Sequence, residues 1–201
     1  TAGITAFNGE VGGVTALTSI TTDAPGSVSI SGGRIRTSGA QTYNDAVNLG
    51  AATTLQGVNL AMMSTVDGTE SLTLSDSGDT VIGGVLGGTT PLMSLTTDSA
   101  TTAAGETHLK GDSIHVTTNA VFNDIVKIFT DVTVQAAGEL TFEQTINGDT
   151  AGTRSLTLNG GNTAAIVVNG AVGNLNTLRS LEVVNSEFTT FNGAVTTGTS
   201  V

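Results

Sequence analysis

The chain has 201 residues, a formal net charge of −11 from 17 acidic and 6 basic residues, and no cysteine. So acidic a surface repels phosphate backbones and argues against nucleic-acid binding, while the lack of cysteine excludes disulfides and thiolate metal sites. No apolar run approaches the roughly 20 residues of a membrane span. Thr1 begins no signal-peptide pattern, so we expect a mature or excised segment.

The rest of the composition favours a folded protein of short strands. Glycine is abundant (27 residues), proline is rare (2 residues), and hydrophobic residues make up 38% of the chain. Val, Ile and Leu recur along the whole length among Thr, Ser, Gly and Asn, which is typical of strands and turns. The composition therefore predicts an all-β protein.

One segment of a dozen residues occurs three times. GEVGGVTALTSI starts at Gly9, GVLGGTTPLMSL at Gly84 and GAVGNLNTLRSL at Gly170. A phosphate-binding loop does not fit, because no Lys-Ser/Thr follows and no helix pattern begins there. An active site needs its residues once, so this recurrence indicates architecture.

The match continues between the copies. Residues 26–55 align without a gap with residues 105–134, and VDGTESLTL from Val66 matches INGDTAGTRSLTL from Ile146 with four extra residues after the Gly. The sequence thus predicts one continuous segment over residues 1–201, made of units 9–83 and 84–169 and a partial unit 170–201.

A finer period lies inside each unit. A large apolar residue followed by Asn or Asp, and usually then by Gly, recurs along the chain. It occurs at Phe7, Tyr43, Val66, Phe122, Ile146, Val168 and Phe191. This spacing predicts about 20 residues per turn of a solenoid and four turns per unit.

The stretches between these words alternate apolar and polar residues. SVSISG, SIHVTT and SLTLN show the period of two that marks a strand with one buried face. We therefore expect a parallel β-helix of about nine or ten turns, with Gly, Asn and Asp at its corners. A β-sandwich or a pair of Ig-like domains is the alternative; the regular inner period and the absence of Trp argue against it.

The words SGAQTYNDAVNLGAATTLQG, TVDGTESLTL and GGVLGGTTPLMSLT resemble the β-strand repeat arrays of very large bacterial surface proteins, of the filamentous-haemagglutinin-like and giant-adhesin kind. The resemblance covers nearly the whole chain, although the second unit reads AVFNDIV where the first reads AQTYNDAV. It implies a right-handed parallel β-helix, export to the cell surface and a structural or adhesive role. It carries over no catalytic residue.

Four copies of this short motif begin with an aromatic residue. We predict that these aromatic residues occupy equivalent corners of their coils and that the next one or two residues shape the turn. The residues in question are Phe7, Asn8 and Gly9; Tyr43 and Asn44; Phe122 and Asn123; and Phe191, Asn192 and Gly193.

Residues suited to chemistry are few. His108 and His115 are seven apart, and an odd separation on a strand puts them on opposite faces. The densest acidic stretch, SDSGDT, contains Asp76 and Asp79 but no nearby basic residue, so it lacks the cluster that a polysaccharide-active β-helix needs. These two carboxylates are weak calcium candidates, as are the turns Asn44-Asp45 and Asn123-Asp124. We expect no enzyme activity and no required cofactor.

Three function classes follow. The first is a structural or adhesive segment of a bacterial extracellular surface or filament protein. The second is a subunit that assembles end to end into a filament or surface layer, and the third, less favoured, is a polysaccharide-active enzyme. The expected partners are neighbouring repeats or copies of the chain at its ends, and surface ligands of host or neighbouring cells.

Overall fold

The computed structural model describes residues 2–98 and 105–198, and their regular structure consists of 23 short β-strands. None of the described residues lies in a helix, so this part of the chain has no helix with the length and apolarity to cross a bilayer. Every strand pairing is parallel, and the chain winds into about nine stacked coils of about 20 residues. The predicted all-β solenoid is confirmed, and the β-sandwich alternative is wrong because sandwiches pair their strands antiparallel.

Each coil has three sides, and equivalent sides of successive coils pair into three faces of the rod. The first face holds β1 (Ile4–Phe7), β3 (Ser27–Ile30), β6 (Ala46–Leu49), β9 (Val66–Asp67), β14 (Ser113–Val116), β17 (Val132–Ala136), β20 (Ser155–Asn159) and β22 (Ser180–Val184). The second face holds β4 (Arg34–Arg36), β7 (Thr53–Gly57), β10 (Leu72–Asp76), β12 (Leu95–Thr97), β15 (Ala120–Phe122), β18 (Leu140–Phe142), β21 (Ala165–Val168) and β23 (Phe188–Phe191). The third face holds β2 (Ile20–Thr22), β5 (Gln41–Tyr43), β8 (Leu60–Met62), β11 (Thr80–Ile82), β13 (Glu106–Leu109), β16 (Ile125–Ile128) and β19 (Ile146–Gly148).

The core consists of ladders of side chains that run along the rod axis. Every second residue of a strand points inward, and the inward residues of successive coils lie opposite one another. One ladder on the second face contains Val11, Ile35, Leu55, Leu74, Thr97, Phe122, Phe142, Val168 and Phe191. Within it the rings of Phe122 and Phe142 stack at 4.7 Å between centroids and 3° between planes. The ladders make one continuous apolar core through the coils.

The three Gly-rich segments form the same structure, an excursion loop that leaves a side of the rod and returns to it. In the first, Val11 pairs with Ile35 and Leu17 pairs with Thr37, so the residues between Val11 and Leu17 loop out. Leu86 and Leu92, and Val172 and Leu178, make the corresponding pairings in the other two copies. We call residues 11–17, 86–92 and 172–178 the first, second and third excursions.

The excursions lie on different faces of the rod. Val11 joins the second face, Leu86 joins the first face between β9 and β14, and Val172 joins the third face after β19. Counted along the chain, Leu86 begins the eleventh side after Val11, and Val172 begins the eleventh side after Leu86. Four turns would be twelve sides, so the prediction of four turns per unit is wrong by one side. Because a unit is one side short of four full turns, each excursion lies on a different face from the one before it.

Glycine is required where each excursion leaves the rod. Gly12, Gly87 and Gly173 have φ values of +75°, +69° and +70°. A Cβ atom at each would lie 2.2 Å from a carbonyl oxygen of the next coil. The shared glycine of the Gly-rich word thus permits both a left-handed backbone and a close approach between coils.

Candidate functional site

The four aromatic corner residues are each the last residue of their strand: Phe7 of β1, Tyr43 of β5, Phe122 of β15 and Phe191 of β23. They lie on three different faces, with Phe122 and Phe191 sharing the second. Tyr43 and Phe122 are fully buried, whereas Phe7 and Phe191, in the first and last coils, are partly buried. Burial raises the pKa of the Tyr43 hydroxyl, which donates a hydrogen bond to Gln41 Oε1 at 2.8 Å.

The Asn residues after these aromatics bond to the preceding coil rather than to their own turn. Asn44 Nδ2 donates to Thr22 O at 2.7 Å, and Asn123 Nδ2 donates to Thr97 O at 3.0 Å. Asn192 Nδ2 donates to Asn169 Oδ1 at 2.7 Å. These side chains therefore hold neighbouring coils together. Asn8 and Gly9 are exposed in the first coil, and Gly193 lies over Gly170.

The apolar-Asx-Gly motifs that begin at Val66 and Ile146 have a different role. The first lies beneath the second excursion and the second lies beneath the third excursion, and each binds the backbone of the excursion above it. Asp67 Oδ1 accepts hydrogen bonds from the amides of Thr89 at 2.8 Å and Thr90 at 3.0 Å, and Gly68 N donates back to Thr90 O at 3.2 Å. The apolar residue before Asp67, Val66, pairs with Leu86.

The third excursion repeats this arrangement. Asn147 Oδ1 accepts from the amides of Leu175 at 3.0 Å and Asn176 at 3.3 Å, and Gly148 N donates to Asn176 O at 3.1 Å. In both places the apolar-Asx-Gly motif holds the excursion of the next coil through side-chain and backbone hydrogen bonds. We call this motif the Asx-Gly seat.

The histidines do not meet. His108 lies in β13 on the third face and His115 in β14 on the first face. His108 Nε2 is 3.0 Å from Glu106 Oε2. Across residues 2–98 and 105–198, no group of three or more His, Cys, Asp or Glu side chains has the geometry to hold a metal ion.

Asp76 and Asp79 are separated by burial. Asp76 is 3% exposed, and its Oδ2 accepts from Leu60 N at 3.0 Å and from Thr80 Oγ1 at 3.1 Å. Asp79 is exposed, and its Oδ1 accepts from Glu106 N at 3.1 Å. Each carboxylate is engaged with a different part of the backbone.

Asp76 instead belongs to a column of carboxyl groups that the sequence did not predict. Asp98 and Asp124 occupy the next two coils, at the same end of the second face, and are 2% and 1% exposed. Asp98 Oδ1 accepts from Asp76 N at 2.8 Å, and the Asp98 and Asp124 side chains hydrogen-bond to each other. Asp124 also accepts from the hydroxyls of Thr97 at 3.1 Å and Thr107 at 2.9 Å.

Burial raises the pKa of all three carboxyls of this column. The pKa of Asp98 rises to about 8, first through burial and then through the negative charges of Asp76 and Asp124. A hydrogen bond between two carboxyls requires a proton, so Asp98 is protonated at neutral pH and donates to Asp124. The column therefore binds a proton within the core.

The residues best placed to bind a ligand form a cationic patch on the third face, which consists of His108, Lys110, Lys127 and Phe129. His108 and Lys127 are opposite each other in the parallel pairing of β13 and β16, and Phe129 N donates a hydrogen bond to Leu109 O at 2.8 Å. The four side chains therefore lie on two adjacent coils. The ammonium groups of Lys110 and Lys127 lie 5.0 and 5.8 Å from the centroid of the Phe129 ring. The His108 ring meets the edge of Phe129 at 5.0 Å.

The patch gathers both lysines of a chain whose net charge is −11. Glu106 offsets part of this charge, because its Oε2 is 3.8 Å from Lys127 Nζ. Lys110 is exposed and remains available to solvent. The aromatic ring restricts the two ammonium groups to a small region, since a cation is attracted to the ring face.

A groove of about 310 Å³ adjoins the patch at Lys110. The residues that line it are Gly83, Gly84, Val85, Lys110, Gly111, Asp112 and Thr130. Lys110, Thr130 and Asp112 together suit a ligand that carries both hydroxyl and carboxylate groups. A Cβ atom at Gly84 or Gly111 would lie 2.1 Å from a carbonyl oxygen of the neighbouring coil, so these two glycines permit the close stacking of coils. The sequence signal for this site was the spacing of 19 residues from His108 to Lys127 and from Lys110 to Phe129, which is one coil.

Comparison of the chain with protein-family models, curated proteins and solved structures gave no match. The family suggested by the repeat words therefore remains a prediction.

Proposed function

We propose that this chain is a rigid, non-catalytic segment of a bacterial extracellular surface or filament protein. The observation that carries the proposal is the continuous core: three parallel faces run through about nine coils, and the buried apolar residues of the described ranges 2–98 and 105–198 form one cluster. At ~4.8 Å per coil, the coils make a rod about 43 Å long. A repeated fold of this kind extends by adding coils, which suits reach and surface coverage.

Two measurements test this proposal. Small-angle scattering of the purified chain should give the profile of a rod of that length, and an antibody against the chain should label intact, unpermeabilised cells of its source. Labelling only after permeabilisation would exclude the extracellular location. A scattering profile of a compact sphere would exclude the rod.

The cationic patch favours an adhesive role in addition to the structural one. Its ligand class is an acidic glycan, because a uronic-acid sugar supplies a carboxylate for Lys110 and hydroxyls for Thr130 and Asp112. Elsewhere the acidic surface repels such a polymer, so binding concentrates at this groove.

Isothermal titration with a uronic-acid trisaccharide and a neutral hexose trisaccharide tests this role. The acidic sugar should bind more tightly than the neutral one, and Lys110→Gln should weaken its binding by about 10-fold or more, since a hydrogen bond to a charged group contributes about 1.5–3 kcal/mol. Arg36→Gln, on the second face, is the matched control, because it removes one positive charge away from the groove. Equal binding of both sugars, or equal loss in both variants, would exclude a specific acidic-glycan site.

A further inference from the structure

Glu106 connects two side chains of the cationic patch. Its Oε2 lies 3.0 Å from His108 Nε2 and 3.8 Å from Lys127 Nζ. An ionised carboxylate only accepts hydrogen bonds, so Nε2 of His108 carries the proton in this contact and Nδ1 is the nitrogen that can gain a second one. A titratable imidazole is thus held beside both lysines of the chain.

With a neutral His108, the charges of the patch and the groove cancel. Lys110 and Lys127 each carry one positive charge, whereas Glu106 and Asp112 each carry one negative charge. Protonation of His108 leaves a net charge of about +1 at this place. Histidine is the side chain whose charge ordinarily changes between about pH 8 and pH 5. An anionic ligand therefore meets a neutral site above this range and a cationic site below it.

The strands on either side of His108 define the other charges that it faces. Val81 of β11 and Lys127 of β16 lie opposite His108 in the two parallel pairings. β11 contains no charged residue, and Asp79, just before it, accepts a hydrogen bond from the backbone amide of Glu106 at 3.1 Å. His108 therefore lies between the carboxylates of Glu106 and Asp79 and the two ammonium groups.

We propose that protonation of His108 strengthens the binding of an acidic glycan in the groove, so that adhesion is tighter at acidic pH. This inference rests on the adhesive role proposed above and adds its regulation. Protonated His108 donates a charge-assisted hydrogen bond to Glu106 and compensates its negative charge. The charge of Lys127 is then no longer cancelled, and it adds to the charge of Lys110.

The size of the effect follows from the positions of the groups around Phe129. The His108 ring centroid and Lys110 Nζ each lie 5.0 Å from the centroid of the Phe129 ring, so they are at most 10 Å apart. One added unit charge at about 10 Å from a carboxylate strengthens its binding about 2-fold at the dielectric constant of bulk water, and more at a lower one. A glycan carboxyl group with a pKa of about 4 or lower stays ionised throughout this range.

Isothermal titration with the uronic-acid trisaccharide at about pH 7.5 and pH 5.5 measures this effect, in about 0.01 M salt to limit screening. The wild-type chain should bind at least about 2-fold more tightly at the lower pH. His108→Gln keeps a hydrogen-bond donor for Glu106 but no titratable charge, so it should lose this increase. His115→Gln is the matched control and should retain it, because His115 lies in β14 on the first face.

The outcomes separate the regulation from the adhesive role. Equal wild-type affinity at the two pH values, or a full increase in His108→Gln, would overturn the inference and leave the adhesive role intact. Absence of binding at both pH values would exclude the adhesive role and the inference with it. Circular dichroism at both pH values establishes that each variant has kept its fold.

Nuclear magnetic resonance of the imidazoles provides a second readout. Linkage is reciprocal, so a ligand that binds the protonated form of His108 more tightly must in turn stabilise that form. With the trisaccharide present, the His108 signals should reach their protonated positions at a higher pH, whereas those of His115 should not move. An unchanged His108 titration in the presence of bound trisaccharide would contradict the inference.

Replacing Glu106 tests the charge balance without a change of pH. Glu106→Gln removes the carboxylate beside Lys127 and should bind the trisaccharide at least about 2-fold more tightly than wild type at neutral pH. Glu182→Gln, in β22 on the first face, removes the same charge elsewhere and should have a smaller effect. A Glu106→Gln chain that binds no more tightly than Glu182→Gln would overturn the inference.

Discussion

Replacing Asp98 with Asn should stabilise the rod at neutral and alkaline pH. The side chain is 2% exposed, and it lies between Asp76 and Asp124 in the buried carboxyl column. Asn keeps the Oδ1 that accepts from Asp76 N and provides an Nδ2 that donates to Asp124 without any proton being taken up. The backbone at this position has φ +46°, which Asn tolerates as well as Asp does.

The magnitude follows from proton linkage. The pKa of Asp98 is raised from 3.8 to about 8 in the folded chain. Between these values the unfolded chain has lost the proton and the folded chain holds it, so the unfolded state binds fewer protons and stability falls as pH rises, by about 1.4 kcal/mol per pH unit. At pH 7 this costs the wild-type protein up to about 4 kcal/mol, and the cost reaches its full value above the folded pKa.

Urea unfolding followed by circular dichroism from pH 5 to pH 9 measures this effect. Asp98→Asn should reduce the pH slope of the unfolding free energy by about 1 kcal/mol per pH unit and exceed wild-type stability at pH 8. Asp112→Asn, an exposed carboxylate, is the matched control and should change stability by less than about 0.5 kcal/mol. If Asp98→Asn left the pH slope of the unfolding free energy unchanged, or lowered stability at pH 8, the conclusion that the column shares a proton would be refuted.

Two further changes probe the core and the excursions. Phe122→Ala should lower the unfolding free energy by about 3–5 kcal/mol, because the ring is fully buried and stacks on Phe142; a loss below about 1 kcal/mol by urea unfolding would contradict a packed ladder. Gly87→Ala combines a left-handed backbone with a Cβ atom 2.2 Å from His115 O, whereas Gly152→Ala has φ +70° with nothing within 4 Å. Thermal unfolding should therefore show a larger loss for Gly87→Ala than the ~1 kcal/mol expected of Gly152→Ala, and equal losses would mean that the contact between coils relaxes freely.

The sequence by itself determined the type of fold. The alternation in SVSI and SLTLN predicts strands with one buried face, and the spacing of the apolar-Asx-Gly word predicts coils of about 20 residues. Both are local regularities, because side-chain direction in a strand alternates with period two whatever the strand packs against. The strands of the structure follow this alternation, with Val28 and Ile30 buried in β3.

The sequence did not determine which face each excursion occupies. That depends on the number of sides between excursions, and a side can be a strand or a single bridging residue such as Leu86. A short corner advances the chain by one side. A corner that contains an insertion, such as the one between Ile146 and Leu156, also advances it by only one side. Counting residues therefore gave four turns per unit, whereas the parallel pairings give eleven sides.

The tertiary structure alone brings together Asp76 with Asp98 and Lys110 with Phe129. Coils differ in length, so 22 residues separate the first pair and 19 the second, and only the register of the stacked strands decides which side chains become neighbours. Burial then gives identical residue types opposite roles. Asp98 shares a proton in the core because desolvation disfavours its charge, while Asp112 lines an open groove beside Lys110.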